Sequence, residues 1–123
     1  MSAEHIHFFL NLRDQIKLYH WQTHVYARHK ATDKILKVLE ESIDSFVEVF
    51  IGRYGRPKVS GKNAIITLHN ITDAGIVRLI NSAIKYINGA LTKTLKPTDT
   101  DLTSIRDDIL AELGQLQYLF TLR

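Results

Sequence analysis

The sequence has no cysteine among its 123 residues. This absence excludes disulfides, thiolate metal sites and cysteine nucleophiles together. A metal ion bound by this chain would need imidazole and carboxylate ligands, which suit iron, manganese and zinc. Motifs for a serine triad, a glycine-rich phosphate loop or a zinc-protease helix are absent as well. The candidate chemistry is therefore confined to histidine, aspartate and glutamate side chains.

Long hydrophobic runs are also absent. No stretch reaches the roughly 18 apolar residues that a membrane-spanning helix needs. The first residues, MSAEHIHFFLNLRD, carry an acid and histidines where a signal peptide would carry basic residues and a long apolar stretch. We therefore expect no membrane partner and a cytoplasmic protein, with incorporation into a virus particle as the alternative. With 45% hydrophobic residues, the chain has enough apolar material for one domain spanning residues 1–123.

Neither sign of charge dominates the sequence, since the formal net charge is only +3. Basic residues are spread along the chain, and no lysine-rich tail precedes the first helix. The one concentration comprises Arg53, Arg56, Lys58 and Lys62. A solvated loop is the ordinary interpretation of such a cluster, and contact with DNA phosphates is the alternative.

Apolar residues recur at helical spacing in four stretches, so the predicted fold class is all-α. The predicted helices span about Ala3 to Trp21, Tyr26 or His29 to Tyr54, Thr72 or Asp73 to the residues before Pro97, and a cap among Asp99 to Asp101 through to Leu122. Between the second and third helices, Lys58 to Ile71 predicts a long irregular crossover containing a helical turn. Near the first residues, His5 and His7 are predicted to lie at the surface.

The stretch His20 to Glu48 contains the most versatile side chains. Two helical i,i+4 pairs, His29/Asp33 and Asp44/Glu48, fall on one face of the helix. Measured around the axis from His29, Asp33 lies at about 40°, Asp44 at about 60° and Glu48 at about 100°. Along the axis, however, Asp33 and Asp44 are separated by roughly 16 Å. No single ion can contact both, because metal–ligand bonds are about 2.0 to 2.6 Å long.

A shared metal would therefore require two chains. A twofold axis near the middle of this helix would place His29/Asp33 of one copy against Asp44/Glu48 of the other. The alternative is an acidic stripe that simply faces solvent. Val38 and Val49, on another side of the helix, are candidate positions for packing against a neighbouring chain.

The order of these residues supplies a further indication. A His-Trp pair, a short connection, His-x3-Asp, ten residues and Asp-x3-Glu together resemble the ferroxidase signature of the Dps-type miniferritins, a branch of the ferritin-like superfamily. The matching positions are His20, His29, Asp33, Asp44 and Glu48. The chain also resembles small ferritin-like proteins encoded by large DNA viruses and phages. The resemblance implies a ferritin-like four-helix bundle with a long crossover between helices 2 and 3.

The resemblance also implies an activity and an assembly. Asp44 and Glu48 would bind iron together with His20 of a twofold-related subunit, and His29 and Asp33 would complete a second position. Iron(II) would be oxidised by hydrogen peroxide or dioxygen and stored in a dodecameric homo-oligomer, with zinc or manganese as substitute metals.

Three points stay open at this stage. His24, inside the short connection, is an alternative or additional ligand. Trp21 is a candidate for taking up an electron beside the site and so limiting radical escape, or an interface residue. A ferritin-like structural or interaction protein, associated with virions, and a DNA-protecting shell are the rival functions.

Overall fold

Four α-helices make up most of the chain. The computed structural model describes residues 2–123 and contains α1 at Ser2–Gln22, α2 at Tyr26–Tyr54, α3 at Asp73–Tyr86 and α4 at Thr100–Leu119. A π-helical turn at Ile87–Leu91 and 3-10 turns at Gly61–Ala64 and Thr92–Thr94 supplement them. Because the described residues include no strand, the predicted all-α class is confirmed.

The link between α2 and α3, residues 55–72, runs along α1 from its beginning towards its end. His7 Nε2 donates to the Ile65 carbonyl (2.8 Å) near the first turns of α1. Further along, the Gln15 side chain donates to the His69 carbonyl (2.7 Å). The predicted crossover is thus confirmed as irregular chain with one short helical turn.

This path fixes the directions of the helices. Asp73, the first residue of α3, accepts a hydrogen bond from Tyr19 near the end of α1 (2.6 Å). At the opposite end of the bundle, Arg53 near the end of α2 contacts Asp99, just before α4 begins. The far end of α4 returns to the end of α1, where Phe120 packs on Tyr19. Consequently α2 and α3 run in one direction, and α1 and α4 run in the other. Principal packing joins α1 to α2, α2 to α4, α4 to α3 and α3 to α1.

One apolar core lies between the four helices, because each contributes an apolar stripe at 3.6-residue spacing. Its buried side chains are Phe9, Leu12, Ile16, Tyr19, Ala31, Ile35, Leu36, Leu39, Phe46, Ile76, Ile80, Ala83, Ile87, Leu91, Leu102, Ile109, Leu113, Leu116 and Phe120. Of the two valines proposed for contact with another chain, Val38 is 39% exposed, whereas Val49 packs against this core.

Short-range signals define two helix ends. Gly55 follows α2 with φ of 88°, in the left-handed region that favours glycine, and its amide donates to Ile51. The side chain of Thr72 precedes α3 and accepts from the amide of Gly75 (2.9 Å). At Gly75 a Cβ atom would come within 2.8 Å of the Ile71 side chain, so this position needs glycine for close packing.

Three predictions were wrong in detail. The third helix was expected to continue to the residues before Pro97, but regular α-helical bonding ends at Tyr86 and a π-helical turn follows. His5 was expected at the surface and is instead buried, with ring nitrogens 2.7 Å from the Tyr86 hydroxyl and 3.0 Å from that of Thr94. Tyr86 precedes the π-helical turn and Thr94 follows it, so His5 joins both ends of this turn to α1. The fourth helix also ends at Leu119, slightly before the predicted Leu122.

Asp99 joins the end of α2 to the start of α4. Its buried carboxylate accepts hydrogen bonds from the Tyr54 hydroxyl, the Lys96 amide (2.8 Å) and Arg53 (2.8 Å). The Tyr54 hydrogen bond is the main reason that the pKa of Asp99 lies below its ordinary value, and the Lys96 amide is the next. Arg53 also contacts Asp101 (2.7 Å) and lowers its pKa to about 2.

Among residues 2–123, no helix combines the length and the hydropathy needed to cross a bilayer.

Replacing Asp99 tests the acid stability of this junction. Because its pKa is lowered in the folded state, its contribution is complete above the ordinary aspartate pKa of about 4 and is lost as pH falls below it. We expect Asp99→Asn to lower the melting temperature at pH 7 and to flatten its dependence on pH below about 4. Thermal unfolding across pH, with Asp108→Asn as the control, measures this. Identical pH profiles for Asp99→Asn and wild type would contradict the assignment.

Candidate metal centre

A three-residue turn, residues 23–25, brings the end of α1 against the start of α2. The hydroxyl of Thr23 accepts from the Val25 amide (3.1 Å) and donates to Asp73 (3.1 Å), which fixes the turn to α3. As a result His20, in the last turn of α1, lies beside His29, in the first turns of α2.

The tautomer of His20 follows from its partner. His20 is buried, and its Nδ1 lies 2.8 Å from the hydroxyl oxygen of Thr32. That hydroxyl already donates its hydrogen to a backbone carbonyl, that of Arg28 (2.8 Å) or His29 (3.1 Å). The oxygen of Thr32 must therefore accept from His20, so the proton of the neutral ring is on Nδ1.

His29 carries its proton on the same atom. Its Nδ1 lies 2.9 Å from the backbone carbonyl of His20, which can only accept a hydrogen bond. The two rings are stacked, with centroids 3.9 Å apart and planes inclined by 15°. In the neutral form of each ring, Nδ1–H is thus held in place and Nε2 carries a free lone pair.

Both Nε2 atoms are available to a ligand. Neither atom makes a hydrogen bond within the described part of the chain. Among residues 2–123, the one side-chain polar atom that is both fully buried and without a partner is Glu112 Oε1. The Nε2 atoms of His20 and His29 also have no partner, so they cannot be fully buried and are accessible. Because imidazole lone pairs lie in the ring plane, two nearly parallel rings do not converge on one point. This arrangement suits two neighbouring metal ions, one for each ring, better than a single shared ion.

The electrostatic surroundings favour a neutral His20. Burial is the largest cause of a lowered pKa, and repulsion from His29 adds to the effect. The Asp33 carboxylate acts in the opposite direction. Near pH 7 the ring is therefore deprotonated at Nε2, which is the form that binds a metal.

The carboxylates of the predicted site are divided along α2. This helix is unbroken from Tyr26 to Tyr54, so the roughly 16 Å between Asp33 and Asp44 holds in the folded chain. Asp44 and Glu48 are both exposed. Among residues 2–123, no three histidine, aspartate or glutamate side chains are placed to hold one ion. One chain thus brings His20, His29 and Asp33 to one end of α2 and leaves Asp44 and Glu48 apart from them.

Three other predicted residues can now be placed. His24 is exposed in the turn between α1 and α2, whereas His20 is buried. Trp21 is 67% exposed, with Lys17 Nζ 5.3 Å from its ring centroid. Arg53, assigned to the basic cluster, forms salt bridges with Asp99 and Asp101, which offset its charge within the chain.

Thr32 is the functional residue that the sequence reasoning missed. It is fully buried on the core side of α2, where a β-branched residue suggests only packing. A local signal does exist, because Thr32 is four residues after Arg28 and its hydroxyl bonds back to the preceding turn. The contact with His20 requires the α1–α2 turn and is not visible from spacing alone.

The helices and the paired histidines define a small all-α protein with a candidate ligand set at one end of a helical hairpin. A family model described as a family of unknown function, DUF5856, matches residues 20–120, and the chain belongs to this family. The chain is also similar to the "Uncharacterized 14.6 kDa protein in mobD-ri intergenic region" of Enterobacteria phage T4. Identity is 33% over 106 residues, which cover 84% of this chain and 74% of the relative. No solved structure gives a significant match.

Replacing Thr32 tests the tautomer of His20. Thr32→Val keeps the shape of the side chain but removes the acceptor for Nδ1–H, at a cost in folding stability of about 1 to 3 kcal/mol. We expect the His20 proton to shift towards Nε2, as measured by long-range ¹⁵N–¹H correlation spectra of the metal-free protein. Thr32→Ser retains the hydroxyl and is the matched control. A Thr32→Val variant whose His20 stays fully protonated on Nδ1 would refute the assignment.

Proposed function

We propose that this chain is a ferritin-like, Dps-type protein that oxidises iron(II) to iron(III) at a site shared between two copies. The observation that carries the proposal is the stack of His20 on His29, in which both Nδ1–H groups are held and both Nε2 lone pairs are free. Metal-binding histidines in proteins are held in this way, by a hydrogen bond from the nitrogen that does not bind the metal.

The donor set fits iron as a substrate. Asp44 and Glu48 of one copy, with His20 of the other, would bind the first iron, and His29 with Asp33 would bind the second. Two positions accord with two rings whose lone pairs do not meet. Neutral imidazoles bind iron(II) near neutral pH, and carboxylates favour the iron(III) product because they offset its additional charge.

The order of the helices supports the ferritin-like part of the proposal. α1 and α4 run opposite to α2 and α3, and the link along α1 is the long connection that allows this. One long crossover is characteristic of ferritin-like bundles. A dodecameric shell rests on the Dps resemblance alone.

The electron balance is simple with hydrogen peroxide as oxidant. Two iron(II) ions each give up one electron, and the peroxide takes both electrons and two protons and leaves as two water molecules. This chain's residues bind and orient the two ions. Burial lowers the pKa of His20, so this ring is neutral near pH 7 and the protons come from solvent.

A direct test adds iron(II) to the purified protein without oxygen and then adds hydrogen peroxide. The wild-type protein should develop ferric absorbance faster than iron(II) in buffer alone. Asp44→Ala and Glu48→Ala should each slow this step by about tenfold or more, because a ligand is lost. Asp108→Ala, an exposed carboxylate on α4, is the control. Equal rates in all four proteins would reject the proposal.

Mixing two inactive variants tests whether the site is shared. One variant carries Asp44→Ala with Glu48→Ala, and the other carries His20→Ala with His29→Ala. A mixed pair contains one intact site and one that keeps only Asp33, so random mixing should restore about a quarter of the wild-type sites. No recovery, in a mixture shown by mass spectrometry to contain mixed oligomers, would mean that no such site forms between copies.

The rival function is that of a ferritin-like structural protein. An oligomer that binds and oxidises no iron would favour it. Salt-sensitive binding of duplex DNA, lost on replacing Arg56 and Lys58, would favour a DNA-protecting shell.

A further inference from the structure

The outward face of α2 carries charges in a mirrored order. Six exposed side chains, Lys30, Lys34, Lys37, Glu41, Asp44 and Glu48, lie within about 40° of one direction around the helix. The first three are basic and the last three are acidic. This stripe is opposite the side of α2 that buries Ile35, Leu39 and Phe46. We refer to these six residues as the charge stripe.

The spacing of the charge stripe is symmetric about Leu39. Lys37 and Glu41 are each two residues from Leu39, Lys34 and Asp44 are each five, and Lys30 and Glu48 are each nine. Suppose that two copies of α2 pack antiparallel through their charge stripes, with the twofold axis at the level of Leu39. Every lysine of the stripe in one copy would then lie opposite a carboxylate of the other. A parallel alignment would place like charges together, which is unfavourable.

Within one chain most of this arrangement has no evident benefit, since Lys37/Glu41 is its one opposite-charge i,i+4 pair. None of the six side chains takes part in an ion pair within residues 2–123; Lys30 instead lies 5.6 Å from the ring centroid of Tyr26. Lys30/Lys34 and Asp44/Glu48 are like-charge i,i+4 pairs, which destabilise an isolated helix. A basic first half and an acidic second half also oppose the preferred direction of charge along a helix dipole.

We propose that the charge stripe is the contact surface for a second copy of this chain, paired antiparallel about Leu39. Lys30 then meets Glu48 of the second copy, Lys34 meets Asp44, and Lys37 meets Glu41, and the twofold axis repeats each contact. Val38, beside the axis, adds an exposed apolar side chain to the contact. Since the pairs lie at the surface, the association weakens as salt is raised.

This interface deepens the proposed function, which also needs a second copy, but it does not depend on metal binding. The same axis brings His29 level with Glu48 of the second copy to within one residue, and Asp33 level with Asp44. A carboxylate has two oxygens and can accept from a lysine on one side while it binds a metal on the other. The two proposals therefore share one geometry and can fail separately.

Charge reversal at Lys37 and Glu41 tests the interface without changing any proposed metal ligand. Lys37→Glu and Glu41→Lys should each weaken self-association by about tenfold, because attraction becomes repulsion at two contacts. The double variant should recover dimers, and a mixture of the two single variants should form mixed dimers. Sedimentation velocity at low and high salt measures this, and Lys58→Glu, in the exposed link, is the control. Dimers that tolerate both single reversals would overturn the proposal.

Engineered cysteines test the register, and the absence of native cysteine leaves no background. A disulfide requires Cα atoms within about 7 Å. A Lys37→Cys chain mixed with a Glu41→Cys chain should cross-link under mild oxidation, whereas Lys37→Cys with Glu48→Cys should not. Equal cross-linking of both mixtures would overturn the register. A wild-type dimer that passes these tests but oxidises no iron would support the interface and refute the proposed function. Iron oxidation by an oligomer whose assembly is unchanged by both charge reversals would support the proposed function and refute the interface.

Discussion

The stacking of His20 on His29 is the contact on which the candidate site depends. It exists because only three residues separate α1 from α2, so the last turn of one helix has to pack against the first turn of the other. The backbone carbonyl of His20 and the hydroxyl of Thr32 then fix the direction of both rings. A histidine pair joined to the core in this way loses little conformational freedom when it binds an ion, which favours binding.

The second constraint is the rigidity of α2. A continuous helix of 29 residues holds the histidine end and the carboxylate end of the predicted site at a fixed separation. Motion of side chains cannot bridge that distance. Any chemistry that uses both ends must therefore be a property of an assembly, and the order of charges along the same helix is the proposed means of forming one. The proposed iron ligands Asp44 and Glu48 also belong to the proposed contact surface.

Much of the fold could be predicted from the sequence because it depends on short-range patterns. Apolar spacing, Thr72 before α3 and Gly55 after α2 located most helix ends to within a few residues, but regular α-helical bonding in α3 ends at Tyr86, well before Pro97. The errors arose where distant residues decide the structure. His5 was assigned to the surface because it is near the start of the chain, but its partners Tyr86 and Thr94 are more than 80 residues away. The pairing of Arg53 with Asp99 and the bond from Thr32 to His20 likewise depend on packing that spacing does not reveal.

The long link has a consequence for how the molecule opens. It is fastened to α1 by polar contacts such as His7 with Ile65 and Gln15 with His69, and it contributes Ile71 but few other side chains to the core. Local openings of a protein favour segments with few buried apolar contacts. A protease should therefore cut residues 55–72 first and leave two helical hairpins that remain bound through their shared apolar interior. The chain could then be produced as two separate fragments that recombine into the native protein.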